Sequence, residues 1–416
     1  MECGNQKVNF RTINKAVMQP ENYWKRNLYS LFISQLFYRA GTRSIIPFLP
    51  LYVKELSGEN LESAALWSGW IFAAPFLVSF FTTPLWGSIG DKYGRKFIVL
   101  FALFGFVISN ILMSFSSSLL FLLIAASTQE LFGGAYPAAV SLTAANTPKE
   151  KTTEALSYLQ FANALGNIIG PVLGGVLADS AGYKNVFLFT ALSVSITSLP
   201  IVFLVKESNI VKQPNFHSLL DNLKYFTAKH GLIVCGIMLL SYTLSLTMMR
   251  PNFSFFVQQQ FTSVNNTATT AGILLGLFGL AGTLSVALLP FAARQIKSLV
   301  KLAAAFSVSS ISFFLLITIN NIYLFASVLF VLGFWLGIIL PLIYSLMSGY
   351  TAQERKAGVM GIGFSFQITG NLLGPLAAGY IAAFFGVHFS FVLSGVILAA
   401  AIFLFKTMEK DGKATN

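Results

Sequence analysis

The sequence predicts an all-α membrane protein of twelve transmembrane helices in two pseudo-symmetric six-helix bundles. Three observations carry that expectation. The 416 residues are 55% hydrophobic and only 10% charged, with 41 Phe, whereas a soluble domain carries about 25% charged residues. That deficit is too large for one buried core, so lipid must solvate most of the surface. The apolar residues fall into twelve runs, each long enough to cross a hydrocarbon layer of ~30 Å, which takes about 20 helical residues. The chain also repeats itself at a constant offset of 204 residues.

In order, the expected spans are 28–53, 66–86, 97–116, 119–143, 155–178, 185–205, 231–258, 270–291, 300–318, 322–348, 358–384 and 388–406. None alternates apolar with polar residues, and backbone groups in lipid must be satisfied locally, so helices are the expected element. A polar, basic tail, 1–26, ends in Tyr23-Trp24-Lys25-Arg26. The apolar run after it is too long for a signal-peptide core and lacks a cleavage pattern, so it is expected to stay as the first span. The spans divide into a bundle over 27–205, a Lys-rich linker over 206–230, a second bundle over 231–407 and a tail over 408–416.

The net charge of +12 is spread in short clusters between apolar runs, which indicates membrane topology and not nucleic-acid binding. One side collects Lys92, Arg95 and Lys96, then Arg294, Lys297 and Lys301, then Arg355 and Lys356. The other offers Lys54 and Lys184, with Glu55, Glu59 and Glu62 beside the former. The positive-inside bias places both termini in the cytoplasm. Cys3 and Cys235 form no CxxC or Cys/His pattern, and His217, His230 and His388 are scattered, so neither a disulfide framework nor a metal site is expected. No cofactor is expected, and the absence of a GxxxxGK[ST] loop points to a gradient as energy source.

The repeat aligns unusual residues. Pro47 falls on Pro251, Gly133 and Pro137 on Gly337 and Pro341, and Glu150-Lys151 on Glu354-Arg355. Gly166-Asn167 and Gly170-Pro171 fall on Gly370-Asn371 and Gly374-Pro375, with Gly175 over Gly379. Two halves related by an axis along the membrane normal are a known transporter design, with the substrate site near the midplane between them.

Gly87-Ser88-Ile89-Gly90-Asp91-Lys92-Tyr93-Gly94-Arg95-Lys96, between the second and third spans, resembles the loop signature of the major facilitator superfamily. Gly166, Gly170-Pro171 and Gly174-Gly175 resemble the fifth-helix signature of its drug:proton antiporter branch. Gly41 with Pro47-Phe48-Leu49-Pro50 is similar to that branch's first-helix signature. Trp24-Lys25-Arg26-Asn27-Leu28 and the run to Val53 look closest to the MdtG-type bacterial multidrug efflux proteins. The resemblance covers the whole chain, although the second copy of the loop motif has decayed to Arg294-Gln295-Ile296-Lys297. It implies the major facilitator fold, a bacterial inner membrane and efflux of small molecules. One departure is Ala126, which stands where the branch carries an Arg early in the fourth span, so proton coupling does not carry over through that Arg.

Asp91 lies just before the third span, where its charge can complement a helix N-terminus and pair with Arg95. Gly87, Gly90 and Gly94 permit a tight turn. The loop reads as a latch broken when the halves rock, or as a topology signal alone. In the fifth span the glycines allow close backbone approach and Pro171 frees a carbonyl, favouring either a bend or a plain packing seam.

Of the acidic residues only Glu130 falls deep within a span, together with Arg39 and Arg43 of the first and Arg250 of the seventh. Such a charge costs at least ~2.5–3.5 kcal/mol on insertion scales, which makes these residues functional candidates. Gln35, Arg39 and Arg43 recur every four residues as one stripe. The resemblance implies that helices one, four, seven and ten line the cavity, adding Glu130, Arg250, Tyr242, Ser245, Trp335 and Tyr344. Asn163 with Asn167, and Gln367 with Asn371, form similar stripes that serve as helix-to-helix glue or as ligands.

Glu130 is the expected proton site, with sodium as the alternative coupling ion. Loss of water and a neighbouring Arg act oppositely on a carboxyl, so an anion competing for Arg39 or Arg43 would change its protonation. A static Glu–Arg pair is the competing reading. Three Arg against one Glu favour an anionic or zwitterionic ligand, since guanidinium forks suit carboxylates and phosphates, while the aromatic content suits an amphipathic body. Two substrates stay open: amphipathic compounds in general, or a specific polycarboxylate-like metabolite such as a siderophore. Expected partners are that small molecule, protons and the bilayer, with the chain acting as a monomer. A membrane enzyme would need a polar catalytic constellation, which is not visible, and a channel would not need two halves.

Overall fold

A computed structural model describes residues 23–132, 134–207, 219–262, 265–291 and 298–412. Cys3, His217, Gly133, Arg294, Lys297, most of the N-terminal tail and residues 413–416 lie outside the described residues. The elements in chain order are α1 (Tyr23–Ser44), α2 (Leu49–Leu56), α3 (Leu61–Tyr93), α4 (Arg95–Ser114), α5 (Leu119–Leu131) and α6 (Ala135–Asn146), then α7 (Thr152–Ala181) and α8 (Tyr183–Leu204). The second half holds α10 (His230–Gln260), α11 (Thr267–Leu288), α12 (Ser298–Thr318), α13 (Ile322–Tyr350), α14 (Lys356–Phe385) and α15 (His388–Gly412), preceded by a short α9 (Leu219–Ala228).

Eleven of these segments, taking α5 and α6 together, are long and apolar enough to cross a membrane. The first crossing is supplied by α1 and α2, and α1 falls short in hydropathy because it carries Lys25, Arg26, Arg39 and Arg43. Two spans expected as single helices are broken. The 28–53 run divides at 45–48 around Pro47, which lacks an N–H and disfavours helical geometry in the residue before it. The 119–143 run divides after Leu131, where Gly134 precedes a helix containing Pro137. The equivalent prolines Pro251 and Pro341 stay inside continuous helices. At the position matching Gly134 the second half has Ile338, which leaves α13 without a paired glycine.

The 206–230 stretch contains α9, whose Phe226 stacks on Phe366 of α14 with centroids 5.8 Å apart. Tyr225 of this helix accepts from the Ala352 N–H at 3.2 Å and has Lys229 and Arg355 over its ring at 4.6 and 5.0 Å. Hydrogen bonding from Lys229, then from the Ala352 backbone, holds the Tyr225 phenol below its ordinary pKa.

Within the first half α1 packs on α7 and α8, and in the second α10 packs on α14 and α15. The halves meet along two seams, α7 with α11 and α3 with α14. Small residues make both seams possible. A methyl group added to Gly175 would lie 3.0 Å from Thr269 Cα, and one added to Gly69 would lie 3.0 Å from Gly379 Cα. Gly272 abuts the Pro171 carbonyl and Gly69 abuts the Pro375 carbonyl, so the repeat noted in the sequence recurs in space. Hydrogen bonds crossing between the halves sit at the end opposite Tyr23. Ser254 Oγ donates to the Pro47 carbonyl at 2.6 Å, and the Thr269 N–H donates to Asp179 Oδ2 at 2.6 Å.

The loop signature differs from expectation. Gly87 and Gly90 belong to α3, which runs on to Tyr93, and the turn is made by Gly94 alone, at φ +96°. The side chain of Asp91 lies outside what is described, so its pairing with Arg95 is not part of this picture. The α4 N-terminus is capped by Glu207, just beyond α8. Its carboxylate accepts from the N–H groups of Arg95 and Lys96 at 2.9 and 3.0 Å, the arrangement favoured by orphan donors and the helix dipole. Lys206 and Asn27 close the same corner through reciprocal hydrogen bonds of 2.9 and 3.1 Å.

Two outcomes follow from this packing. Gly170→Ala places a methyl 2.9 Å from Arg43 Cβ and against the Ala40 carbonyl, and should cost on the order of 1–3 kcal/mol. Gly361→Ala, with open space around it, should be near neutral; thermal unfolding in detergent compares them. Glu207→Ala should cost about 1–2 kcal/mol and speed hydrogen exchange at the Arg95 and Lys96 amides, whereas unchanged exchange there would remove Glu207 as the cap.

Candidate functional site: a basic ladder beside a carboxylate-lined cavity

Helices α1 and α7 run in the same direction, so side chains at a fixed sequence separation stay in register. Arg39 Nε donates to Asn163 Oδ1 at 2.8 Å, and one turn further Arg43 Nε donates to Asn167 Oδ1 at 2.9 Å. The amide stripe of α7 thus holds the basic stripe of α1. Glycines set the spacing: methyl groups at Gly166 and Gly170 would sit 2.8 and 2.9 Å from the Cβ atoms of Arg39 and Arg43. Gly174 abuts the Ser44 backbone in the same row. The Gly166, Gly170 and Gly174 row is therefore a seam inside the first half, while Pro171 and Gly175 face the second half. Helix α7 stays continuous through Pro171.

A cavity of about 540 Å³ is lined mainly by the first half, with α14 of the second half on one side. Its first-half wall includes Tyr38, Arg39, Glu130 and Tyr136, and α14 contributes Phe364, Ile368 and Asn371. Arg39 lies 5.9 Å over the Tyr136 ring. Ser79 and the charge of Arg39 both act on the Glu130 carboxylate. Among the described residues the ion pairs are Lys54–Glu59 and Lys151–Glu154, so Glu130 and Arg39 are neighbours without a direct salt bridge. The cavity reaches Gly90 and Arg95, at the end that carries Tyr23. There Arg95 Nη1 donates to the Ser141 carbonyl at 2.9 Å.

Helix α3 supplies residues that sequence reasoning missed: Ser79, Thr82, Thr83 and Trp86 all line this cavity. Their spacing of three and four residues puts them on one face of the helix. Two of them also satisfy the broken fourth span, since Thr82 Oγ1 donates to the Glu130 carbonyl at 3.0 Å and Trp86 Nε1 to the Leu131 carbonyl at 3.1 Å.

The remaining expected residues fall into two sets. Arg250 and Tyr242 of α10 interact electrostatically with Arg43, and Arg250 also with Arg39. They lie close to the α1 cations, but of this group only Arg39 is on the cavity wall; Arg43, Tyr242 and Arg250 are outside its lining. Gln35 is fully buried, and neither polar atom of its amide has a partner. Trp335 packs on the core and against Phe334, and Tyr344 is hydrogen-bonded by Gln367. These three do not line the cavity, and Ser245 donates to the Ser394 carbonyl at 3.1 Å instead.

The second half uses the same scaffold without charge. Thr243 and Thr247 occupy the positions of Arg39 and Arg43, and Phe334 that of Glu130. Gly370 and Gly374 abut those threonines, and Thr247 Oγ1 donates to the Gly370 carbonyl at 3.0 Å.

The family model described as Major Facilitator Superfamily matches residues 31–317 and 235–416. The chain is 29% identical over 398 residues to the multidrug resistance protein MdtG of Salmonella arizonae, covering 94% of this chain and 98% of that protein. It is 29% identical over 392 residues to MdtG of Salmonella typhi, covering 93% and 96%. In fold it is similar to a bacterial homologue of the human lysosomal transporter Spinster in an inward-facing, occupied conformation, with a TM-score of 0.77 at 14% identity over 94% and 97% of the two chains. A point mutant of the nucleoside transporter NupG gives 0.76 at 13% identity over 92% and 99%. The human organic anion transporter MFSD10 gives 0.66 at 18% identity over 92% and 99%. With the family match running through both halves and the same two-bundle architecture around a central cavity, the chain belongs to the Major Facilitator Superfamily.

Proposed function

We propose that this transporter exports amphipathic small molecules by alternating access, coupled to protons, with Glu130 as the proton site. The observation that carries the reading is a single acidic side chain on the wall of a central cavity, facing Arg39 without being paired to it. Its protonation is set by the competition between lost hydration and the nearby guanidinium, and a ligand that engages Arg39 alters that balance. Support for export of varied compounds comes from the MdtG relatives and from aromatic and aliphatic side chains beside the polar ones.

The basic clusters support a cytoplasmic Tyr23 end, and the MdtG relatives support a bacterial inner membrane. The cavity would then open inward, and closure of the opposite end rests on the Ser254–Pro47 and Asp179–Thr269 contacts. In the outward-open state those bonds part and the glycine seams act as pivots. The carrier works as a monomer.

A second reading, transport of one anionic metabolite such as a polycarboxylate siderophore, is favoured by one observation: Arg39, Arg43 and Arg250 act electrostatically on one another, with the single carboxylate of Glu130 beside Arg39.

The test uses the purified protein in vesicles. Glu130→Gln should abolish substrate-driven proton movement and remove the pH dependence of transport; an unchanged pH profile would exclude Glu130 as the proton site. Transport of a cationic dye that is indifferent to Arg39→Ala decides for the broad exporter over the anion carrier.

A further inference from the structure

We infer that Arg39, Arg43 and Arg250 form a receptor for a ligand bearing two or more carboxylates, and that Asn163 and Asn167 are its positioning residues. The inference rests on reading the cavity as the transport site: Arg39 is on its wall, and Arg43 and Arg250 lie outside its lining in electrostatic contact with Arg39.

Both α1 guanidinium groups are tethered at Nε, by amide oxygens 2.8 and 2.9 Å away. A tether at Nε fixes the plane of the group and leaves its two-Nη edge for a second acceptor, the fork geometry that carboxylates match. The tethers are neutral. A carboxylate at 163 or 167 would have held the same nitrogen and cancelled its charge, yet both positions are Asn. Glu130 acts on Arg39, whereas the groups acting on Arg43 are Arg250, Arg39 and Tyr242. Among the described residues no hydrogen bond or ion pair engages Arg250. Like charges gathered away from water are costly unless an anion joins them, and three cations against one carboxylate leave an anionic deficit that the protein does not fill.

The cations are not needed for packing. The second half makes the same helix contact with Thr243 and Thr247 against Gly370 and Gly374. Arg250 also comes from the half opposite Arg39 and Arg43, so a ligand with one anionic group at each end engages both halves together, which a monocarboxylate cannot do.

The experiment measures binding to the full chain in nanodiscs by calorimetry, with citrate and acetate as probes. Citrate should bind about tenfold or more tightly than acetate, and Arg250→Gln should lose about tenfold in citrate affinity. Asn167→Asp is the decisive variant. It keeps an acceptor for Arg43 Nε, so a merely structural role leaves citrate binding unchanged, whereas the receptor loses it with the unfolding temperature maintained. Asn167→Ala should weaken citrate, and Asn167→Gln, which retains an amide acceptor, should recover part of the loss. Equal affinity for citrate and acetate, or citrate binding that survives Asn167→Asp, overturns the proposal. Tetraphenylphosphonium efflux from vesicles separates the two levels. If it proceeds while citrate fails to bind, only the receptor falls; if neither probe is handled, the transport reading falls as well.

Discussion

The polar centre of this molecule depends on how closely α1 approaches α7. A guanidinium in the middle of a membrane needs an acceptor within hydrogen-bond reach, because the alternative is a charge facing hydrocarbon. Asn163 and Asn167 have short side chains, so they reach Arg39 and Arg43 only if the helix backbones nearly touch. Gly166, Gly170 and Gly174 provide that approach, each facing a residue between Arg39 and Ser44. One row of missing side chains thereby fixes the depth, spacing and orientation of two buried cations. The row is at once a packing seam and the support of the candidate site, which is why a methyl group there would disturb both.

Most of the fold was legible because membrane burial writes a coarse signal. A stretch of about 20 apolar residues has few structural options in lipid, and the offset of 204 described two halves whose seams turned out to use Gly175 with Gly272 and Gly379 with Gly69. The helix breaks were harder to read. Pro47 and Pro251 share a repeat position, yet only the first interrupts its helix, since a proline's effect depends on whether neighbouring groups satisfy the carbonyl it frees. The loop signature suggested a glycine turn with an acidic residue at the helix start. The turn is narrower, and the carboxylate at the α4 N-terminus is Glu207, more than a hundred residues away. No local pattern announces a cap delivered from another helix.

The candidate site was legible in its rare charges and not in its neutral parts. Arg39, Arg43, Glu130 and Arg250 stand out because charges inside spans are costly. Asn163 and Asn167 were visible as a stripe, but their partners were not, because an amide carries no mark of what it will bond. The α3 wall of Ser79, Thr82, Thr83 and Trp86 was hidden by the same modesty: hydroxyls within an apolar helix usually bond their own backbone. Here the broken fourth span exposes the carbonyls of Glu130 and Leu131, and Thr82 and Trp86 answer them. The break therefore ties the orientation of Glu130 to α3, one of the two helices at the seam between the halves.

That tie gives the asymmetry of charge a mechanical sense. The two halves share their seams almost position for position, but Glu130, Arg39 and Arg43 have Phe334, Thr243 and Thr247 as counterparts. Arg250, by contrast, is matched by Ile46, so the basic residue within the seventh span lies outside the repeat. A symmetric cavity would offer a ligand no preferred attachment. This one presents a tethered Arg39 and a carboxylate whose main-chain carbonyl is bonded from α3, with Arg43 and Arg250 beyond its lining and acting electrostatically on Arg39 and on each other. In the proposed cycle, movement of α3 against α14 shifts Glu130 relative to Arg39, while an anion drawing Arg250 toward the α1 pair pulls the halves together. Both displacements run through the same few side chains, so cargo and proton are linked by shared electrostatics in one cavity and need no separate relay.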